Sequence, residues 1–250
     1  MNNNNNLKEY NIPSVISVQI GKLRNFDGEP RSNHAKQQCL TGFYKEPVEG
    51  KIWAGNCNLS GDSQADLENH GGTDKAVLAY SADHYPVWRK ELSLPDLPNG
   101  GFGENLTIVG MTEKTVCIGD TYAIGDVLLQ VSQPRRPCWK ISRRWQIDDL
   151  ADRVKNTGRI GWYFRVLKEG FIEMGLPVVL LERPYPQWTV ERSYEIMKNR
   201  RSDTPAAQKL ATCHLLSVNW RTKLVETKRW DTIRKGIKGV VHKFKIDKIV

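Results

Sequence analysis

Long apolar runs are missing from this chain: nothing approaches the ~20 consecutive hydrophobic residues of a membrane-spanning helix. Nor does the N-terminus carry the basic, apolar and small-residue succession of a secretory signal. A cytoplasmic protein without membrane contact is therefore expected. Paired cysteines are also missing. Cys39, Cys57, Cys117, Cys138 and Cys213 are an odd count with no CxxC pair and no histidine at ligand spacing. That argues against both a disulfide framework and a tetrahedral zinc site. A metal would have to arrive inside an organic cofactor needing one protein sulfur. Net positive charge is scarce outside one end. Residues 221–250 hold ten Lys/Arg and three Asp/Glu, a balance of +7 out of the net +9, which leaves +2 for the first 220 residues. The basicity belongs to the tail, and a basic tail is usually a solvated or weakly docking segment.

What is there centres on Val127 to Ile141, VLLQVSQPRRPCWKI. An aliphatic run between Gly125 and Pro134 reads as a buried strand, and Pro134 and Pro137 make the segment after it a rigid loop. That loop delivers Cys138 among Arg135, Arg136, Lys140, Arg143 and Arg144. Such a field favours thiolate, the form that attacks electrophiles or binds soft metals. The plainer reading keeps Cys138 as a small packed hydrophobe beside a solvated basic face.

Two glycine-rich turns stand upstream. His70-Gly71-Gly72, followed by Lys75, suits a phosphate or oxyanion, because glycine N–H groups can approach a ligand closely; a hydrogen-bonded histidine beside an ordinary turn is the alternative. Gly100 to Asn105, GGFGEN, opens a strand at Leu106. Thr115 to Val131 reads as a β-meander with Gly119-Asp120 and Gly125-Asp126 turns. Val15 to Leu23 reads as a first strand, with Lys22 and Arg24 where it ends, either as phosphate holders or as a solvated surface pair. Loops of this kind can gather at the mouth of a β-barrel.

Taken in order, these motifs resemble a MOSC domain, the domain named for the C-terminal part of molybdenum cofactor sulfurase. They are Gly61-Asp62 to Asp66, His70-Gly71-Gly72 with Lys75-Ala76, Gly103-Glu104-Asn105-Leu106, Gly119-Asp120 with Gly125-Asp126, and Gln133-Pro134-Arg135 with Pro137-Cys138. Gly158-Arg159 to Trp162-Tyr163 and the helical C-terminal segment resemble the YiiM-like type. The resemblance spans about residues 15–225. It implies a mostly β fold, a MOSC-type β-barrel with peripheral helices and a small C-terminal three-helix appendage. It further implies a bound molybdenum cofactor (Mo-molybdopterin), with Cys138 as the protein ligand to molybdenum. The implied cofactor contacts are Lys22, Arg24, His70, Gly71, Gly72, Lys75, Asn105 and Arg135, with Asp62 and Gln64 orienting a loop or donating to the pterin. The implied activity is a molybdenum-dependent oxidoreductase: reduction of N-hydroxylated compounds such as N-hydroxylated purine bases and hydroxylamines, N–OH to N–H, a detoxification. Its partners would be a small N-hydroxylated substrate, an electron-donating reductase and a second copy in a homodimer; nucleic acid is not favoured. A sulfur or persulfide carrier, a molybdenum-cofactor carrier, and a basic nucleic-acid-binding module are the alternatives.

The expected layout is a disordered 1–14, a barrel over 15–186, the appendage over 187–229 and a basic tail over 230–250. Within it, Ile160, Tyr163, Phe164 and Leu167 recur at helical spacing and predict a helix ended by Gly170. Thr189 should cap a helix over Val190–Asn199, Thr204 precedes one over Ala206–Cys213, and Ser217 should cap one over Val218–Thr227.

Overall fold

The structure is a computed structural model that describes residues 12–26 and 40–226. The expectations for residues 1–11 and for the basic tail from 230 onward lie outside the described residues. In chain order the strands are β1 (Ser14–Ile20), β2 (Arg24–Asn25), β3 (Leu40–Thr41), β4 (Glu46–Pro47), β5 (Ile52–Ala54), β6 (Val77–Ser81), β7 (Leu106–Val109), β8 (Thr121–Ile124), β9 (Val127–Pro134), β10 (Trp162–Lys168), β11 (Gly170–Ile172) and β12 (Val179–Glu182). The helices are α1 (Leu67–His70), α2 (Tyr85–Glu91), α3 (Lys140–Trp145), α4 (Leu150–Thr157), α5 (Val190–Asn199), α6 (Thr204–Ala211) and α7 (Val218–Val225).

Eight strands form one curled sheet, a half-barrel in the order β12-β8-β9-β10-β6-β7-β1-β4. Its pairs are antiparallel except β6 with β7. The β8–β9 hairpin closes through the two-residue loop Gly125-Asp126, where Gly125 adopts φ +58, open to glycine at little cost. The peripheral helices and the three-helix appendage are as expected for the fold class.

β9 is the spine of the molecule. All but one of its residues are buried, because one face meets the interior of the half-barrel and the appendage packs on the strand as well. Tyr194, Met197, Leu210, Trp220 and Leu224 of α5–α7 join Leu129, Val131 and Phe164 in one hydrophobic cluster. Burying each such side chain stabilises by about 1.5–3 kcal/mol. The appendage is anchored at its last helix by the Ser217 N–H, which donates to the Ser132 carbonyl of β9 at 2.9 Å.

The helix expected over residues 160–167 is instead strand β10. It pairs with β9 on one side and β6 on the other, and Trp162, Tyr163 and Phe164 are buried in succession. A strand covered on both faces has no polar alternation, and its apolar run mimics helical spacing. Gly161, at φ +76, marks the boundary.

Candidate functional site

The loop leaving β9 runs Arg135 to Trp139 and turns directly into α3, with the Ile141 N–H donating to the Cys138 carbonyl at 3.2 Å. Cys138 is half-buried and in no disulfide. It lies where two chambers of one cleft meet. The inner chamber, about 70 Å³, is walled by the 41–45 and 62–66 segments and by Asn105, Arg135 and Lys140. The outer, about 310 Å³, is walled by Gln133, Arg136, Trp139 and α7. His70, Lys75, Arg136, Cys138 and Tyr163 border both.

β9 also fixes the glycine-rich turn. The Ser132 hydroxyl donates to the Asp74 carbonyl at 2.5 Å, and Arg165 of β10 holds the Asp74 carboxylate at 2.7 Å. Lys75 is thereby held against the cleft. Burial is the main reason its ammonium titrates below the ordinary lysine range, with Lys223 adding repulsion. His70 is pushed down to about 4, first by burial and then by Lys140 and Arg135. Near neutral pH it is an uncharged imidazole. Tyr163 is pushed up to about 12 by burial and stays a phenol.

Arg135 is only 4% exposed, yet its Nη1 has no hydrogen-bond partner among the described residues. The Gln133 Oε1 is likewise buried and unpartnered. A buried unpaired guanidinium N–H costs on the order of 1–3 kcal/mol, so a cleft that leaves one open is complementary to an anion that will accept from it.

Behind these groups stands a fully paired frame. Asp62 accepts from the Gly21 N–H at 2.7 Å, from the Asn105 amide at 2.9 Å and from the Lys45 ammonium. Asn105 in turn donates to the Gln19 carbonyl at 3.2 Å and accepts from the Leu78 N–H at 3.1 Å. Its amide is thus committed to joining β1, β6 and the 62–66 segment, although it borders the inner chamber. Gly103, at φ +83, lies where a Cβ would come within 2.6 Å of the Phe43 ring. Lys45 is 8% exposed and gave no local signal in the sequence, because its partner Asp62 is reached only through the fold.

The structure brings together His70, Lys75, Asn105, Arg135 and Cys138, with Asp62 and Gln64 on the inner wall. Lys22 and Arg24 lie outside both linings. Arg24 stacks on Tyr44, 3.8 Å from the ring centroid. Gly71 and Gly72 flank the cleft through their neighbours without lining it. Arg143 and Arg144 leave the cationic group as well: Arg143 stacks on Phe26 at 4.7 Å, and Arg144 donates to the Gly100 carbonyl at 2.8 Å. Arg136, Lys140, Tyr163, Asn219 and Lys223 are cleft residues that sequence motifs did not single out as contacts.

Residues 66–179 match the family model for the MOSC domain. The chain is 38% identical to the uncharacterized protein YflK of Bacillus subtilis, over 86% of this chain and 94% of that one. It is 32% identical to the protein YiiM of Escherichia coli, over 86% of this chain and 92% of YiiM. The chain belongs to the MOSC domain family. A protein named "Reductase" from Gibberella moniliformis is 42% identical over 68% of this chain, but that stretch is 32% of its length. The crystal structure of YiiM from Geobacillus stearothermophilus superposes with a TM-score of 0.71 at 33% identity, covering 86% of this chain and 98% of that one. The matched residues 66–179 hold His70, Lys75, Asn105, Arg135 and Cys138, whereas Lys45 and the appendage lie outside them. No helix among the described residues is long and apolar enough to cross a membrane.

Proposed function

We propose that the cleft binds a molybdenum cofactor, a pterin dithiolene with a phosphate tail, with Cys138 as the protein ligand to the metal, and that the protein reduces N-hydroxylated compounds with electrons from a separate reductase. The observation that carries this reading is the buried Arg135 guanidinium, unpaired at Nη1, bordering the same chamber as a disulfide-free cysteine. An anionic group with acceptor oxygens and a soft metal answers both features. Membership of the MOSC family and the name of the fungal relative support an oxidoreductase.

When bound, the group supplies two-electron reduction, so that R–NH–OH, two protons and two electrons give R–NH₂ and water. The chain's residues do the rest. Arg135 and Lys140 would neutralise the anionic end of the cofactor, and His70, uncharged, would donate or accept one hydrogen bond without adding positive charge. Tyr163 keeps its proton and would act as a neutral donor. The Asp62 frame holds the wall in place, as preorganisation requires.

The test is turnover of an N-hydroxylated base and of a hydroxylamine by cofactor-loaded protein with a chemical reductant, wild type against Cys138→Ser. Reduction that disappears in the variant, with an unchanged circular dichroism spectrum, is the expected result. Turnover retained by Cys138→Ser contradicts the assignment. Labile sulfur on Cys138 in protein devoid of pterin would point to a carrier instead.

A further inference from the structure

α7 belongs to the appendage, outside the residues matched to the MOSC family model, yet it forms one wall of the outer chamber through Asn219, Trp220 and Lys223. Its place there is built in. The Ser217 hydroxyl caps it by accepting from the Trp220 N–H at 3.3 Å, while the Ser217 N–H is tied to the Ser132 carbonyl, one residue before Gln133. Trp220 is 1% exposed in the shared core, which fixes the helix's rotation. Lys223, one turn beyond Asn219, then faces the loop that carries Arg136 and Cys138.

The charge in this chamber is lopsided. Lys75, Arg136 and Lys223 border it with Asp66 as the acid, and His70 is neutral. Neither Arg136 nor Lys223 makes an ion pair with any described residue. The Lys223 ammonium is held below its ordinary range by burial first and then by Arg136; Glu226 opposes the shift. Arg136 is exposed and Lys223 half-buried, so water screens their repulsion in part, and an anion between the two would relieve what remains. Gln133 adds a separate sign of a ligand: it is 4% exposed, borders the chamber and leaves Oε1 unpartnered.

We propose that Lys223 of α7 and Arg136 of the β9–α3 loop form a phosphate-binding pair, so that the appendage completes the site rather than merely covering the barrel. The ligand chemistry is a phosphate monoester dianion. Gln133 Oε1 accepts from an N–H or O–H on the same molecule. Two sources carry that chemistry, the phosphate tail of the cofactor and the phosphate of a nucleotide-like substrate. The proposal rests on reading the cleft as the cofactor and substrate site, but phosphate binding can be measured without metal.

The experiment is titration of full-length, cofactor-free protein with inorganic phosphate, followed by phosphorus NMR and calorimetry. The variants are Lys223→Gln, Arg136→Gln, Lys223→Arg, and Lys209→Gln as a charge control on α6. Loss of one charge-assisted contact predicts affinity falling about 10- to 100-fold in Lys223→Gln and in Arg136→Gln, with Lys223→Arg close to wild type and Lys209→Gln unchanged. No saturable binding by wild type, or equal affinity in wild type and Lys223→Gln, overturns the proposal. The source is then read from protein made in a cofactor-synthesising host. Pterin content lowered in Lys223→Gln assigns the pair to the cofactor. Unchanged pterin content, with a nucleoside monophosphate competing for turnover in wild type only, assigns it to the substrate. Because the titration uses no metal, a failed cofactor assignment leaves its result interpretable by itself.

Discussion

Asp62 and Lys45 are buried together against the inner chamber, the carboxylate also accepting from Gly21 and Asn105. Removing one partner of a buried pair strands the other charge. Asp62→Ala is therefore expected to cost about 3–5 kcal/mol, read as a lower urea midpoint with an unchanged slope, and the double variant Asp62→Asn with Lys45→Met should cost less than Asp62→Ala. His70 gives a second prediction, in pH. Its folded-state value of about 4 lies below the ordinary 6.5, because burial and the Lys140 and Arg135 charges disfavour the imidazolium. The unfolded chain thus binds the proton first, so the stability contributed by His70 is fully present above pH 6.5 and is lost as pH falls toward 4. In cofactor-free protein the urea midpoint should drop between pH 7 and 4.5, and His70→Gln should flatten that drop; identical profiles would contradict the assigned burial. Cys138 and His70 were legible as residues because each sits in a local motif. Lys45 and Lys223 were not, since what makes them part of the cleft is packing between segments far apart in the chain.

Among the elements, β9 and α7 matter most, because together they place both walls of the outer chamber. The caps that start the appendage helices were readable: Thr189 accepts from the Arg192 N–H at 3.1 Å and Ser217 from the Trp220 N–H. α5 spans Val190–Asn199, the span its pattern gave. α6 spans Thr204–Ala211, beginning and ending two residues earlier than expected, and Asp203 caps it. β10 was misread because its burial on both faces erases the alternation that distinguishes a strand from a helix. Ser217→Ala should lower stability by about 1 kcal/mol through the lost cap. Trp220→Ala should cost about 3–5 kcal/mol and weaken phosphate binding too, since the rotation of α7 depends on that indole. A Trp220→Ala protein with native thermal midpoint would refute the packing role assigned to α7.

At the scale of the whole molecule, a half-barrel spine delivers one cysteine to the junction of two cationic chambers. Of the motifs whose order revealed the family, those at 62–66, 70–75, 103–105 and 133–138 border one cleft, whereas the Gly119-Asp120 and Gly125-Asp126 turns lie outside its lining. The chain's net charge did not locate the site: +7 of the +9 lies in residues 221–250, while among the described residues the cleft draws its cations mostly from the balanced remainder, Lys45, Lys75, Arg135, Arg136 and Lys140, with Lys223 the one contribution from that end. The central claim, that Cys138 holds the metal of a pterin cofactor, is tested most directly by molybdenum and pterin content per chain in protein from a cofactor-synthesising host, wild type beside Cys138→Ser. The account predicts near-stoichiometric molybdenum and pterin in wild type and loss of metal in the variant; absence of both from wild type, or equal metal in the two proteins, would contradict it.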